Sequence, residues 1–320
     1  MKDALTRREF LARSAAGGIG LMTAGRLGAA AFKTTLSKAL ILGKTDEESL
    51  KKLKDAGFDG LECGAANVTP AEAEKARARA EKIGLRIHSV LRGWVNFNQP
   101  KRLEADVKSV ETALKAAGGY GADTILLVPC RVGRMTMPQP WEFDIAFDEK
   151  TARVTRVAKG DNAKYAQYIE AQNQATEASR EALKKLIPVA EKTKVVIAVE
   201  NVWNNLWVKP DLAASFIRSV ASRWVQFYFD IGNHVKYAPP EEWIGTFGKL
   251  IAKCHVKDFK LNPDGHDGRF VDIRDGSVNW PSVRKELDEI GYNGWMTIEG
   301  SGRLSMEERN KRLDLIVAGK

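Results

Sequence analysis

Eight short apolar runs, each followed by a stretch with helical spacing, recur from Leu36 to the end of this chain. Residues 39–42, 58–63, 85–90, 124–128, 195–200, 225–230, 251–256 and 295–299 read as strands. Amphipathic spacing predicts helices over 46–56, 70–83, 102–117, 162–192, 211–220, 240–247 and 281–290, with a last one from Met306. Thr69 followed by Pro70 marks one helix start, since a capping hydroxyl and a first-turn proline both suit that end. Repeated strand–helix units require parallel strands joined by helical crossovers. Eight of them, with no shift in composition to mark a boundary, predict the α/β class and a single closed (β/α)8 barrel. One connection is long: residues 129–160 carry Pro138, Pro140 and Trp141, a length expected of a loop that covers a site.

The first 31 residues do not belong to this pattern. Thr6-Arg7-Arg8-Glu9-Phe10-Leu11 precedes an uncharged, weakly apolar run from Ser14 to Gly25. Paired arginines ahead of such a run match a twin-arginine export signal, and Ala29-Ala30-Ala31 offers a cleavage site. The run is too short for an ordinary membrane span, which takes about 20 residues. The expectation is therefore a leader over 1–31, a catalytic barrel over 32–320, and a periplasmic or otherwise exported product with no stable membrane insertion after processing. Without residues 1–31, which hold five Lys/Arg against two acids, the formal charge of +9 drops to +6. No Lys/Arg block or basic–aromatic stripe accompanies it, which argues against nucleic acid as a partner. Cys63, Cys130 and Cys254 are odd in number and lack metal-type spacing, so buried thiols are expected. The oligomeric state is left open.

The strand ends carry the chemistry. In a (β/α)8 barrel the active site lies at the carboxyl ends of the strands. Here six runs close on ionisable groups: Glu62, His88, Glu200, Asp230, His255 and Glu299. A strand buried on both faces that ends on a carboxylate is costly unless the charge is compensated. Four such groups on successive strands, Glu200, Asp230, His255 and Glu299, call for a cation among them. Three carboxylates and one imidazole suit a hard-to-borderline divalent ion, Mn²⁺ first, with Mg²⁺, Co²⁺ or Zn²⁺ as alternatives.

These residues carry a resemblance. Val199-Glu200-Asn201, Phe229-Asp230-Ile231-Gly232-Asn233, Cys254-His255-Val256-Lys257-Asp258 and Thr297-Ile298-Glu299-Gly300 resemble the four signatures of the xylose isomerase-like TIM-barrel superfamily. The closest likeness is to its sugar phosphate isomerase/epimerase branch, with hydroxypyruvate isomerase and ketose 3-epimerases. The resemblance implies that Glu200, Asp230, His255 and Glu299 ligate the metal, and that Glu200 and Glu299 also form the acid/base pair. A family histidine three residues after the aspartate is replaced by Asn233, with His234 one later. The reaction implied is proton removal next to a carbonyl through an enediolate, by one glutamate, and its return by the other. Expulsion of a β-oxygen substituent, as from a 3-keto glycoside, is a lyase variant of the same chemistry.

Further candidates for contact with a small-molecule sugar are His88, His234, Lys257, Glu62, Trp94 and Arg131, and Arg92, Arg131 and Arg269 are candidates for anion contacts. Trp94, Trp141, Trp203 and Trp207 are expected in loops after strands, where indoles stack on sugar faces. Export argues against a phosphorylated substrate and for a free sugar, an oxidised sugar or a glycoside. Two other classes compete. An endonuclease IV-like nuclease needs more histidines than His88, His234, His255 and His266 supply. A non-catalytic sugar-binding protein would not need the glutamate pair.

Overall fold

The computed structural model describes residues 32–320, so the expected leader lies outside the described residues. In chain order the strands and helices begin with β1 (Ser37–Leu42), α1 (Glu47–Asp55), β2 (Gly60–Cys63), α2 (Pro70–Lys82), β3 (Arg86–Trp94), α3 (Pro100–Tyr120) and β4 (Thr124–Val128). A hairpin follows, β5 (Phe143–Asp148) and β6 (Arg153–Ala158), then α4 (Ala166–Thr193), β7 (Val196–Glu200), α5 (Pro210–Ser219), β8 (Val225–Asp230) and α6 (Pro240–Phe247). The chain continues with β9 (Ile251–Val256), a second hairpin of β10 (Asp258–Leu261) and β11 (Gly268–Val271), α7 (Trp280–Glu289), β12 (Trp295–Ile298) and α8 (Met306–Val317).

Eight of these strands close a barrel in the order β1, β2, β3, β4, β7, β8, β9, β12, and every pair in it is parallel. This is a single (β/α)8 TIM barrel. β4 is buried at all five positions, as a parallel strand covered on both faces must be. The main core lies between strands and helices: α1 turns Leu50 and Leu53 inward, each without exposed surface. Burying a side chain of that size contributes roughly 1.5–3 kcal/mol. Thr69 caps α2 in a reciprocal box with Glu72, worth about 1 kcal/mol.

The structure differs from the sequence expectation in its hairpins and one helix. Residues 143–158 are an antiparallel ladder rather than plain loop. Phe143, Ile145 and Phe147 alternate with Asp144, Ala146 and Asp148, a strand period that the prolines just upstream conceal. α3 runs on through Gly118 and Gly119 to Tyr120, past the expected end at 117. Gly119 is there for a close helix–helix approach, since a Cβ would lie 2.6 Å from Pro70 O. Among the described residues no helix is long and apolar enough to cross a membrane.

Candidate metal centre

β7, β8, β9 and β12 are neighbours around the barrel, and each delivers one side chain to its mouth. Glu200 and Asp230 end their strands, His255 is the penultimate residue of β9, and Glu299 directly follows β12. Strand alternation explains the set: inward positions recur every second residue, so Ala198 and Glu200, and Tyr228 and Asp230, share the barrel interior. Each of the four residues offers one ligand atom, and these atoms lie within 4.8 Å of one another. His255 Nδ1 is 3.2 Å from Glu200 Oε1, 3.2 Å from Glu299 Oε2 and 4.0 Å from Asp230 Oδ2.

The turn after β8 aims Asp230. Its Oδ1 accepts from the backbone N–H of Gly232 at 2.9 Å and of Asn233 at 2.7 Å, leaving Oδ2 for the cluster. Oδ2 is buried without a hydrogen bond and has the Lys257 ammonium at 3.4 Å. Asn201 clamps the same turn, donating to Asp230 O and accepting from Asp230 N, while Asn233 donates to Asn201 O. Gly232 lets the turn press on the next strand's end; a Cβ would sit 2.6 Å from Lys257 O. Asn201 and Asn233 were visible in the motifs, but their role depends on backbone partners that no spacing shows.

The electrostatics reflect four acids around two bases. Burial raises the Glu200 carboxyl, and burial lifts Asp230 to about 7 against the pull of Lys257. Burial works against charge on His255 too, yet Glu62 and the hydrogen bonds with Glu200 and Glu299 hold it well above its ordinary value. Glu299 goes the other way: burial would raise it, but His255 and Lys257 hold it well below the usual carboxylate range. A divalent ion fits this donor set, because a buried oxygen without a hydrogen bond and three crowded carboxylates are what such an ion neutralises.

The remaining candidates fall in three places. Lys257 is in the cluster, its Nζ 2.7 Å from Glu299 Oε2 and 3.2 Å from Asn233 Oδ1, with the exposed Phe270 ring 5.2 Å away. Glu62, His88 and His234 are instead buried, at 0%, 0% and 1% exposure. Glu62 bonds His255 from below; His88 stacks on Trp295 and meets Thr297 Oγ1 at 3.0 Å. His234 packs edge-on to Tyr237 and Trp243, meets Val202 O at 3.0 Å, and is pushed by burial down to about 4. Trp94 and Arg131 form the third group. Trp94 ends β3 rather than lying in a loop, and the Arg131 guanidinium stacks over it at 4.4 Å on the exposed rim. Of the other indoles, Trp207 packs on Phe216, Trp141 stacks on His266, and Trp203 leans on Phe270. A cavity of about 780 Å³ opens beside the first hairpin, lined by Trp141, Asp144, Lys159, Asp161, Lys164 and others, and shares no residue with the carboxylate cluster.

A closed parallel barrel with three carboxylates and an imidazole at its mouth defines a narrow class of proteins. The chain belongs to the xylose isomerase-like TIM barrel family, whose profile matches residues 50–315. Over 121 residues it is 28% identical to the uncharacterized protein MJ1311 of Methanocaldococcus jannaschii; that match covers 37% of this chain and 41% of the relative's own length. Among solved structures it is similar to the 3-keto-D-glucoside 4-epimerase YcjR of E. coli, with a TM-score of 0.66 and 14% identity, over 89% of this chain and 100% of that one. It is similar as well to the IolI protein solved with a bound zinc atom, with a TM-score of 0.66 and 15% identity, over 88% of this chain and 98% of that one. At such identities the likeness is one of fold.

Proposed function

We propose that this protein is an exported, divalent-metal-dependent isomerase or epimerase of a sugar or related hydroxy-carbonyl compound. The observation that carries the reading is the placement of Glu200 and Glu299. Their oxygens stand 3.2 Å from the same imidazole nitrogen and come from the two outer strands of the four that build the site.

Glu200, Asp230, His255 and Glu299 would hold a divalent ion, which would supply Lewis-acid polarisation of a carbonyl and its neighbouring hydroxyl and so acidify the C–H of the hydroxyl-bearing carbon. Glu200 and Glu299, each with an oxygen 3.2 Å from His255 Nδ1, are the two carboxylates placed to remove the proton and to return it. Lys257 stands beside both Glu299 and Asp230, where its ammonium can hold a substrate oxygen as negative charge develops. Phe270 and Trp203 add an apolar wall of the kind a sugar ring packs on.

The name of the E. coli neighbour points to a 3-keto glucoside as a substrate class; with such a substrate, expulsion of the aglycone after proton removal is a second reading. Both readings share one experiment. The metal-loaded protein is incubated in D₂O with a panel of free ketoses and 3-keto glycosides, and exchange of the acidic C–H is followed by NMR. Exchange with epimer or isomer formation supports the first reading, and exchange with aglycone release supports the lyase. Binding of a sugar without exchange on any member of the panel would make it a sugar-binding protein.

A further inference from the structure

Beneath the metal ligands the barrel interior is polar, where barrels of this kind are ordinarily filled by Val, Ile and Leu. Glu62, Ser89, Tyr228, His255 and Thr297 have no exposed surface. Burying a carboxylate costs several kcal/mol unless donors surround it. Glu62 has three: Ser89 Oγ donates to Oε1 at 3.0 Å, Tyr228 Oη donates to Oε2 at 3.0 Å, and His255 Nε2 meets Oε2 at 2.6 Å. The imidazole is thereby pinned between two layers. Nε2 points down to Glu62 and Nδ1 points up to Glu200 and Glu299.

We propose that Glu62 is a positioning residue of the cation site: by accepting the Nε2 proton of His255 it fixes the tautomer and the ring plane that present the Nδ1 lone pair to the ion. The inference rests on the metal site proposed above and adds to it a residue outside the ligand set. A neutral histidine carries one ring proton, and whichever nitrogen keeps it cannot ligate. A carboxylate on the far nitrogen settles that choice and makes the near nitrogen a better donor. Glu62 is in turn held by β3 through Ser89 and by β8 through Tyr228, so three strands besides His255's own β9 set its place. Tyr228 and Asp230 alternate on one strand, which links the aim of one ligand to the support of another.

The test is Mn²⁺ affinity by calorimetry on purified wild type and variants, with ¹⁵N-histidine NMR of the zinc-loaded protein. Wild type binds one ion, and its His255 carries a proton on Nε2 and none on Nδ1. Glu62→Gln keeps the volume and one acceptor oxygen but loses the charge; its affinity falls about 10–100-fold, the usual scale for losing such a support. Glu62→Asp, which restores the charge one methylene short, recovers part of that loss. Tyr228→Phe removes one donor to Glu62 and weakens Mn²⁺ binding by a few-fold up to about tenfold, and it decides the matter if Glu62→Gln does not fold. Folded variants with wild-type affinity, whatever their melting temperatures, would overturn the proposal and leave Glu62 a polar filler of the core. Loss of affinity with an Nδ1-protonated His255 in the zinc-loaded wild type would overturn it as well. A wild type that binds no divalent ion fails one step earlier and refutes the metal site itself.

Discussion

Lys257 and Glu299 meet at the barrel mouth, the ammonium 2.7 Å from Glu299 Oε2, although one follows β9 and the other β12. Alternation brings Lys257 to the side of the strand that His255 occupies two residues earlier. Asp230 Oδ2 lies 3.4 Å from the same nitrogen, so one lysine touches two of the four groups offered to a cation. Burial opposes its charge, but Asp230, Glu299 and Glu200 raise its pKa, so it stays protonated.

Lys257→Met is expected to separate metal binding from turnover. A fixed positive charge within about 4 Å of two ligand oxygens repels an incoming dication, even at an effective dielectric of about 20. Removing it tightens Mn²⁺ binding by about tenfold, read by calorimetry. Turnover on a responsive hydroxy-carbonyl compound drops by about tenfold or more, because the oxyanion loses its ammonium. Weaker metal binding in this variant would show that Lys257 supports the ion's site rather than competing with it.

The four candidate ligand positions were legible because the strand signal and the chemical signal coincide. An apolar run with period-2 faces that ends on Glu200 or Asp230 states both where the strand stops and what stands at its mouth. Glu62 stands one residue before the end of its run, yet its partner is His255, 193 residues away on a strand that does not neighbour β2. Contacts across a barrel interior depend on closure and register, and no local window holds them. His234 shows the complementary difficulty: one residue's shift in the turn after β8 takes the ring out of the mouth and into packing with Tyr237 and Trp243. The hairpin over 143–158 was hidden by its own flanks, since Pro138 and Pro140 dominate a reading by turn residues.

The metal-free protein should lose stability as pH rises. Asp230 is lifted by burial from its ordinary 3.8 to about 7. A carboxyl with a raised folded pKa binds its proton more tightly in the fold than in the unfolded chain. Its contribution is therefore full below about 3.8 and lost as pH climbs to about 7, at up to roughly 1.4 kcal/mol per pH unit. Glu200 and His255, both raised, act with the same sign. Glu299 is depressed and acts oppositely, but its window lies below its ordinary 4.5. Scanning calorimetry in a chelator should show the melting temperature falling from pH 5 to 7, with Asp230→Asn flattening the slope. Added Mn²⁺ takes the place of these protons, so its stabilising shift should grow over the same range. A chelated protein whose melting temperature rises across that window would contradict the assignment.

Export can be read separately from chemistry. If Arg7-Arg8 is the pair that the twin-arginine pathway reads, Arg7→Lys with Arg8→Lys should retain the full chain in the cytoplasm. Cell fractionation and blotting for the processed form would show it. Unchanged processing of the double variant would assign residues 1–31 another role and reopen phosphorylated sugars as substrates.

The last prediction concerns the proton relay. Glu200 comes from β7 and Glu299 follows β12, with β8 and β9 between them, so the two approach a bound hydroxy-carbonyl from different sides. Glu200→Gln and Glu299→Gln each keep an oxygen for the ion while removing a group that can carry a proton. Metal affinity should weaken only modestly in both, whereas turnover should fall by about a hundredfold or more, the scale of a lost general acid or base. Loss of solvent exchange of the substrate's acidic hydrogen marks the glutamate that removes the proton, and retained exchange with stalled product formation marks the one that returns it. Deuterium incorporation into recovered substrate separates these outcomes. If both variants bind the ion and exchange that hydrogen at the parent rate, the glutamates serve as ligands alone. The base then lies outside the four-residue cluster, and Lys257, kept protonated against burial by Asp230, Glu299 and Glu200, is not it.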